Sequence, residues 1–192
     1  MANIYKVLLI DYFATIIMNK KILITGGPGT GKTELIKGLE NEGHNCEHEI
    51  VRKITEEAQK KGVDQFFLKD PIEFSKRLMA LRLDQFKKTQ NTKYTFFDRG
   101  VHEIIAYLNF LNIEFENKFF EQTKGIIYDY VFILPPWKEI YKNDNARYES
   151  YEESVEIHEE ICNIYKILNV NLITLDKTTV KKRIASILKS IN

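Results

Sequence analysis

The chain has 192 residues, with 28 Lys plus Arg against 27 Asp plus Glu, a formal net charge of +1 and 44% hydrophobic residues. At roughly 150 residues per domain that is one domain with room for a sizeable core, and so ordinary a composition excludes disorder, a collagen-like repeat and a disulfide mini-scaffold. The near-zero charge excludes a global field that would draw in nucleic acid or an anionic membrane, so neither is expected as a partner and any anion site is local.

The opening run at 7–17 is apolar but carries Asp11 and falls short of the ~20 residues that a membrane span needs. It follows only Lys6 and precedes no small-residue cleavage site, so neither a span nor a secretory leader is expected. Met18 stands directly before a complete strand-and-loop motif. Residues 1–17 are therefore set apart as an extension or an added strand, and 18–192 as the domain. Cys46 and Cys162 are far apart and in no Cys-x-x-Cys spacing, which predicts reduced thiols and a cytoplasmic location rather than zinc or a disulfide.

Short apolar runs rich in β-branched and aromatic residues predict strands at 21–25, about 45–49, 94–97, 130–134 and 171–175. Helical patterns lie between and after them, at 33–42, about 50–61, 71–89, 101–111, 148–168 and 179–190. No linker, repeat or low-complexity stretch interrupts them. Alternating strand and helix with short buried strands predicts a three-layer α/β/α fold around a five-stranded, mainly parallel sheet.

Between the first strand and the first helix stands Gly26-Gly27-Pro28-Gly29-Thr30-Gly31-Lys32-Thr33, followed by Glu34. Every required position of the phosphate-loop pattern is filled, in the strand-to-helix context that the motif demands. The glycines let backbone N–H groups turn inward around a phosphate, and the helix that follows presents its positive end to the same anion. Lys32 is expected to bridge the β- and γ-phosphates and Thr33 to ligate Mg²⁺. ATP or GTP with Mg²⁺ is thus the expected ligand. Asp98, directly after the run Tyr94-Thr95-Phe96-Phe97, is the expected second metal-side carboxylate, the alternative being a strand-end turn residue before Gly100. Asp98 is followed by Arg99, Gly100 and Val101, and no Asn-Lys-x-Asp exists, which argues against a switch GTPase. The length leaves little room for the lid domain of an AAA+ or RecA-like motor.

Gly26 to Leu39, Asp98-Arg99-Gly100 with Ala106-Tyr107-Leu108, Val131 to Trp137 and Asp144 to Ser150 together resemble the AAA-domain family grouped with NadR-type ribosylnicotinamide kinases. The resemblance spans about residues 20 to 190 and implies a nucleoside-kinase-like P-loop core with a short lid. Similar proteins place a Glu and an Arg after the second strand. Glu49 and Arg52 stand there in this chain, with His48 where the family usually has Pro.

Glu49 lies where small-molecule kinases carry the carboxylate that accepts the acceptor hydroxyl's proton, or else it is an exposed acid at a helix start. Arg52 and Arg99 are candidates to clamp an anionic or polyhydroxylated acceptor, or are ion-pair arginines. Arg147 is placed as a lid arginine that neutralises charge on the transferring phosphoryl group, or as a first-turn residue of a helix capped by Asp144. Trp137, Tyr141 and Tyr148 either stack on a ring or pack lid against sheet. His44, His48, His102 and His158 show no ligand spacing. Two functions stay open: an Mg²⁺-dependent kinase for a small nucleoside-like acceptor, with Lys32, Glu49, Asp98 and Arg147 catalytic, or a nucleotide-binding regulatory module with slow hydrolysis and no acceptor.

Overall fold

In the computed structural model, residues 19–60, 62, 66–88, 92–142 and 149–192 are described. The expected extension at 1–17 lies outside them, as does the segment 143–148 with Asp144, Arg147 and Tyr148. The elements run β1 (Lys20–Thr25), α1 (Lys32–Asn41), β2 (Asn45–Glu47), α2 (Val51–Gln59), α3 (Phe66–Lys69), α4 (Pro71–Lys87), β3 (Tyr94–Asp98), α5 (Glu103–Phe110), α6 (Asn117–Lys124), β4 (Tyr130–Ile133), a 3-10 turn (Lys138–Ile140), α7 (Tyr151–Ile167), β5 (Leu172–Thr174) and α8 (Val180–Ile191).

β1 reads Lys-Lys-Ile-Leu-Ile-Thr, and Ile22, Leu23 and Ile24 are fully buried. A strand apolar on both faces belongs inside a helix-covered parallel sheet. The order is β2-β3-β1-β4-β5, with every neighbouring pair parallel. The strand ending in Asp98 thus lies beside the phosphate-loop strand, and the three-layer architecture expected from the sequence is the one found.

Successive side chains of a strand point to opposite faces, and the two cores divide accordingly. Leu23, Phe97, Val131 and Ile133 pack with Ile104, Ile105 and Leu108 of α5 and with Ile157, Ile161, Ile164 and Tyr165 of α7. Ile22, Ile24, Phe96 and Phe132 pack on the other side with Leu35, Ile36 and Leu39 of α1 and with Ile184, Ile187 and Ile191 of α8. Burial of each such side chain contributes about 1.5–3 kcal/mol.

The helix starts are chemically specified. Asp70 accepts from the Glu73 N–H and Pro71 fills the first position of α4. Ser150 and Glu153 close a reciprocal capping box on α7. Thr179 caps α8 through the Lys182 N–H. The helical patterns read from the sequence miss α3 and α6, and β2 stops at Glu47 rather than Glu49. The chain turns there because the His48 carbonyl accepts from Gln85 Nε2 at 2.9 Å and the Glu49 side chain is drawn to two arginines. Among the described residues, no helix is long and apolar enough to cross a membrane.

Candidate active site

Because β1 and β3 run parallel with Ile24 opposite Asp98, the loop leaving β1 and the carboxylate ending β3 emerge at the same edge of the sheet. Gly26 has φ 133, and a Cβ there would lie 2.4 Å from the Leu134 carbonyl oxygen, so only glycine fits where the loop leaves the sheet. Gly31, at φ 90, is the N-cap of α1 and offers no side chain to bond the helix's first turn. The unfilled N–H groups of α1 therefore remain for an anion.

Lys32 is buried, and its ammonium donates to the Gly26 and Gly27 carbonyls at 2.8 and 2.7 Å, with Thr30 Oγ1 at 3.4 Å. Burial, with the charge of Arg99 adding to it, pushes the Lys32 ammonium down to about 7 against the pull of Asp98, Glu103 and Glu49. Asp98 is buried too, and its Oδ1 has no hydrogen-bond partner among the described residues. Burial, reinforced by Glu49, pushes its carboxyl up to about 6, with Lys32 and Arg99 opposing.

A desolvated ammonium that bonds its own loop, near a buried carboxylate oxygen that lacks a donor among the described residues, fits a metal-bound polyphosphate. Thr33, on the exposed side of the first turn of α1, and Asp98 are the residues that would hold the metal. The Glu34 side chain turns outward to an exposed ion pair with Lys37 at 2.9 Å.

Glu49 stands between β2 and α2. Its Oε2 accepts from Arg99 Nε at 2.7 Å and its Oε1 from Arg82 Nη2 at 3.3 Å. Burial raises Glu49, but the charges of Arg99, Arg82 and Lys32 outweigh it and hold the carboxyl below its usual range. Arg99 has φ 71, a left-handed conformation uncommon for a residue with a side chain. It is fixed on Glu49, on Glu103 through Nη1 at 3.0 Å, and over the Tyr107 ring at 5.8 Å. The structure thus joins Glu49 and Arg99, as it joins Lys32 with the loop. Arg52 falls in α2 with its side chain outside the described set, and Arg147 lies outside the described residues.

Two residues of this cluster were not singled out in the sequence. Glu103 is fully buried, with Oε1 taking bonds from Thr25 Oγ1 at 2.6 Å and the Gly100 N–H at 3.0 Å. It therefore ties the last residue of β1, just ahead of the phosphate loop, to the turn after β3. Arg82 is 5% exposed and bonds the Gly100 carbonyl as well as Glu49. Both carried a signal: a charge four residues after Leu78 on the Phe74–Leu78 face of α4, and an acid leading the apolar run Ile104-Ile105-Ala106. Of the aromatic candidates, Trp137 lies under the Arg183 guanidinium, whose Cζ is 5.2 Å from the ring centroid, and Tyr141 packs edge-on against Tyr151 at 5.5 Å.

The fold is similar to that of a deoxyadenosine kinase from M.mycoides solved with dATP, with a TM-score of 0.66 and 18% identity over 90% of this chain and 99% of that one. It is also similar to NadR protein in complex with NR, with a TM-score of 0.65 and 20% identity over 90% of this chain and 50% of that one. The chain therefore spans half the length of the NadR chain, and at these identities the likeness is one of fold. A search of curated protein sequences finds no match. The sequence model of the AAA domain matches residues 21–183, and the chain belongs to that AAA-domain family of P-loop proteins.

Proposed function

We propose that the chain is an ATP- and Mg²⁺-dependent phosphotransferase that phosphorylates a hydroxyl of a small nucleoside-like acceptor. The observation that carries this reading is the Glu49 carboxylate, gripped on both oxygens by Arg82 and Arg99 and within electrostatic reach of Lys32 in the phosphate loop and of Asp98 at the end of β3. The deoxyadenosine kinase and NadR folds support the same class.

In this reading the loop N–H groups and Lys32 hold the triphosphate, and Thr33 with Asp98 hold the metal. Bound Mg²⁺ would supply charge neutralisation to the polyphosphate. Each Glu49 oxygen keeps a lone pair beyond its arginine bond, so the carboxylate can accept the acceptor hydroxyl and orient its oxygen toward the γ-phosphorus. The acceptor oxygen bonds to phosphorus, the bond to the β–γ bridging oxygen breaks, ADP leaves, and the hydroxyl proton passes to Glu49. Arg99 offsets negative charge gathering between acceptor and phosphate. Arg147 is the lid arginine of this scheme and Arg52 a further acceptor contact. The free thiols of Cys46 and Cys162 support a cytoplasmic setting.

The test is a panel of nucleosides with MgATP and MgGTP, followed by Glu49→Gln on whichever acceptor is found. The variant should bind nucleotide within about threefold of the parent and transfer phosphoryl roughly 10²-fold more slowly. An unchanged transfer rate removes Glu49 from the mechanism. Slow hydrolysis without any acceptor gives the site to the regulatory reading.

A further inference from the structure

A phosphate loop works only if its peptide units are turned the right way. Each unit is planar, with N–H and C=O pointing in opposite directions, so an N–H aimed at an anion needs its carbonyl aimed away and supplied with a donor. Two loop carbonyls receive theirs from outside the loop. The Pro28 carbonyl accepts from Ser154 Oγ at 2.6 Å, and the Thr30 carbonyl accepts from Arg183 Nη1 at 3.1 Å.

Both donors are buried and neither is near the loop in sequence. Ser154, on α7, is 1% exposed, and Arg183, on α8, is 3% exposed. α7 lies so close that a Cβ on Gly27 would come within 2.4 Å of the Ser154 carbonyl oxygen. Arg183 is itself fixed, by its Nε bond to the Asp176 carbonyl at 2.8 Å and by the Trp137 ring.

We propose that Ser154 and Arg183 are positioning residues that brace the phosphate loop from behind, Ser154 aiming the Gly29 N–H and Arg183 the Gly31 N–H at the bound polyphosphate. This rests on the reading of the loop as a nucleotide site. The two braces come from different helices on opposite faces of the sheet, so the loop is held in a frame that neither helix supplies alone.

The test is calorimetric titration of MgATP and of inorganic tripolyphosphate into the full chain and its variants. Arg183→Met should weaken both ligands by about tenfold, the scale of one charged hydrogen bond, and Arg183→Lys should recover most of that loss by restoring a cationic donor. Ser154→Ala should weaken both about three- to fivefold, the scale of a neutral bond, and it serves where Arg183→Met does not fold. Folded variants that bind both ligands like the parent overturn the brace, even if they melt lower. A loss for MgATP with none for tripolyphosphate also overturns it, and makes Arg183 a contact to base or ribose through Nη2, which has no partner among the described residues. A parent that binds neither ligand removes the nucleotide reading itself.

Discussion

Lys32→Met separates the charge of the phosphate-loop lysine from its length, and the structure predicts opposite effects with and without ligand. In the ligand-free protein the ammonium is buried and held down to about 7, against 10.5 for an ordinary lysine. Between those two values the unfolded chain binds a proton that the folded chain does not, so stability should rise with pH. A ceiling on that rise is about 5 kcal/mol at 1.36 kcal/mol per unit. Below pH 7 the unfavourable buried charge is fully present, and replacing it with methionine removes it while also removing the donor to the Gly26 and Gly27 carbonyls. Urea unfolding from pH 6 to 10 should therefore show the parent gaining on Lys32→Met as pH rises. With MgATP at 100 times its Kd the parent should gain about 2.7 kcal/mol, and the variant close to none at the same concentration. Parallel stability curves against pH, or an equal gain from nucleotide, would refute the reasoning.

Asp98→Asn removes a buried charge without changing size. Calorimetry should show nucleotide affinity falling more with Mg²⁺ than without it, and equal losses would make Asp98 a structural residue. Glu103→Ala deletes a carboxylate that holds Thr25, Gly100 and Arg99. It should cost about 3–5 kcal/mol in chemical denaturation, and a loss under 1 kcal/mol would show that these bonds re-form elsewhere. Gly26→Ala puts a Cβ 2.4 Å from a backbone oxygen. It should abolish nucleotide-induced thermal stabilisation, and a variant with the parent's shift would contradict the close approach.

What was legible in the sequence was what short-range rules govern. The phosphate loop shows because its glycines, Lys32 and Thr33 are contiguous, and the strands show because burial on both faces leaves runs such as Ile22-Leu23-Ile24 and Val131-Phe132-Ile133. α6 did not show, because its Asn-Lys-Phe-Phe-Glu-Gln-Thr-Lys buries only Phe119 and Thr123. The second tier of the site was hidden for a different reason. Ser154 and Arg183 each read as an ordinary polar position on an amphipathic helix, and the placing of Arg82 and Glu103 on apolar faces marks them without naming what they meet. Their roles arise from meeting partners far along the chain: Arg82 with Glu49, Glu103 with Thr25, Ser154 with Pro28 and Arg183 with Thr30. No local pattern encodes such a meeting.

The strand order has a consequence for how the chain is made. Of the described strands β1 emerges first and is the central one, yet its neighbours are Tyr94–Asp98 on one side and Tyr130–Ile133 on the other. Until both have been synthesised, Ile22, Leu23 and Ile24 carry an open backbone edge on at least one side, and the loop that follows has no Leu134 to turn against. The covering of Ile22, Ile24 and Phe132 waits longer still, for Ile184, Ile187 and Ile191 near the end of the chain. Folding here is bound to be late and collective rather than stepwise from the N-terminus. A ribosome stalled between β3 and β4 should hold a chain whose nucleotide loop is fully translated and wholly unformed, and whose first strand is free to pair with the wrong edge.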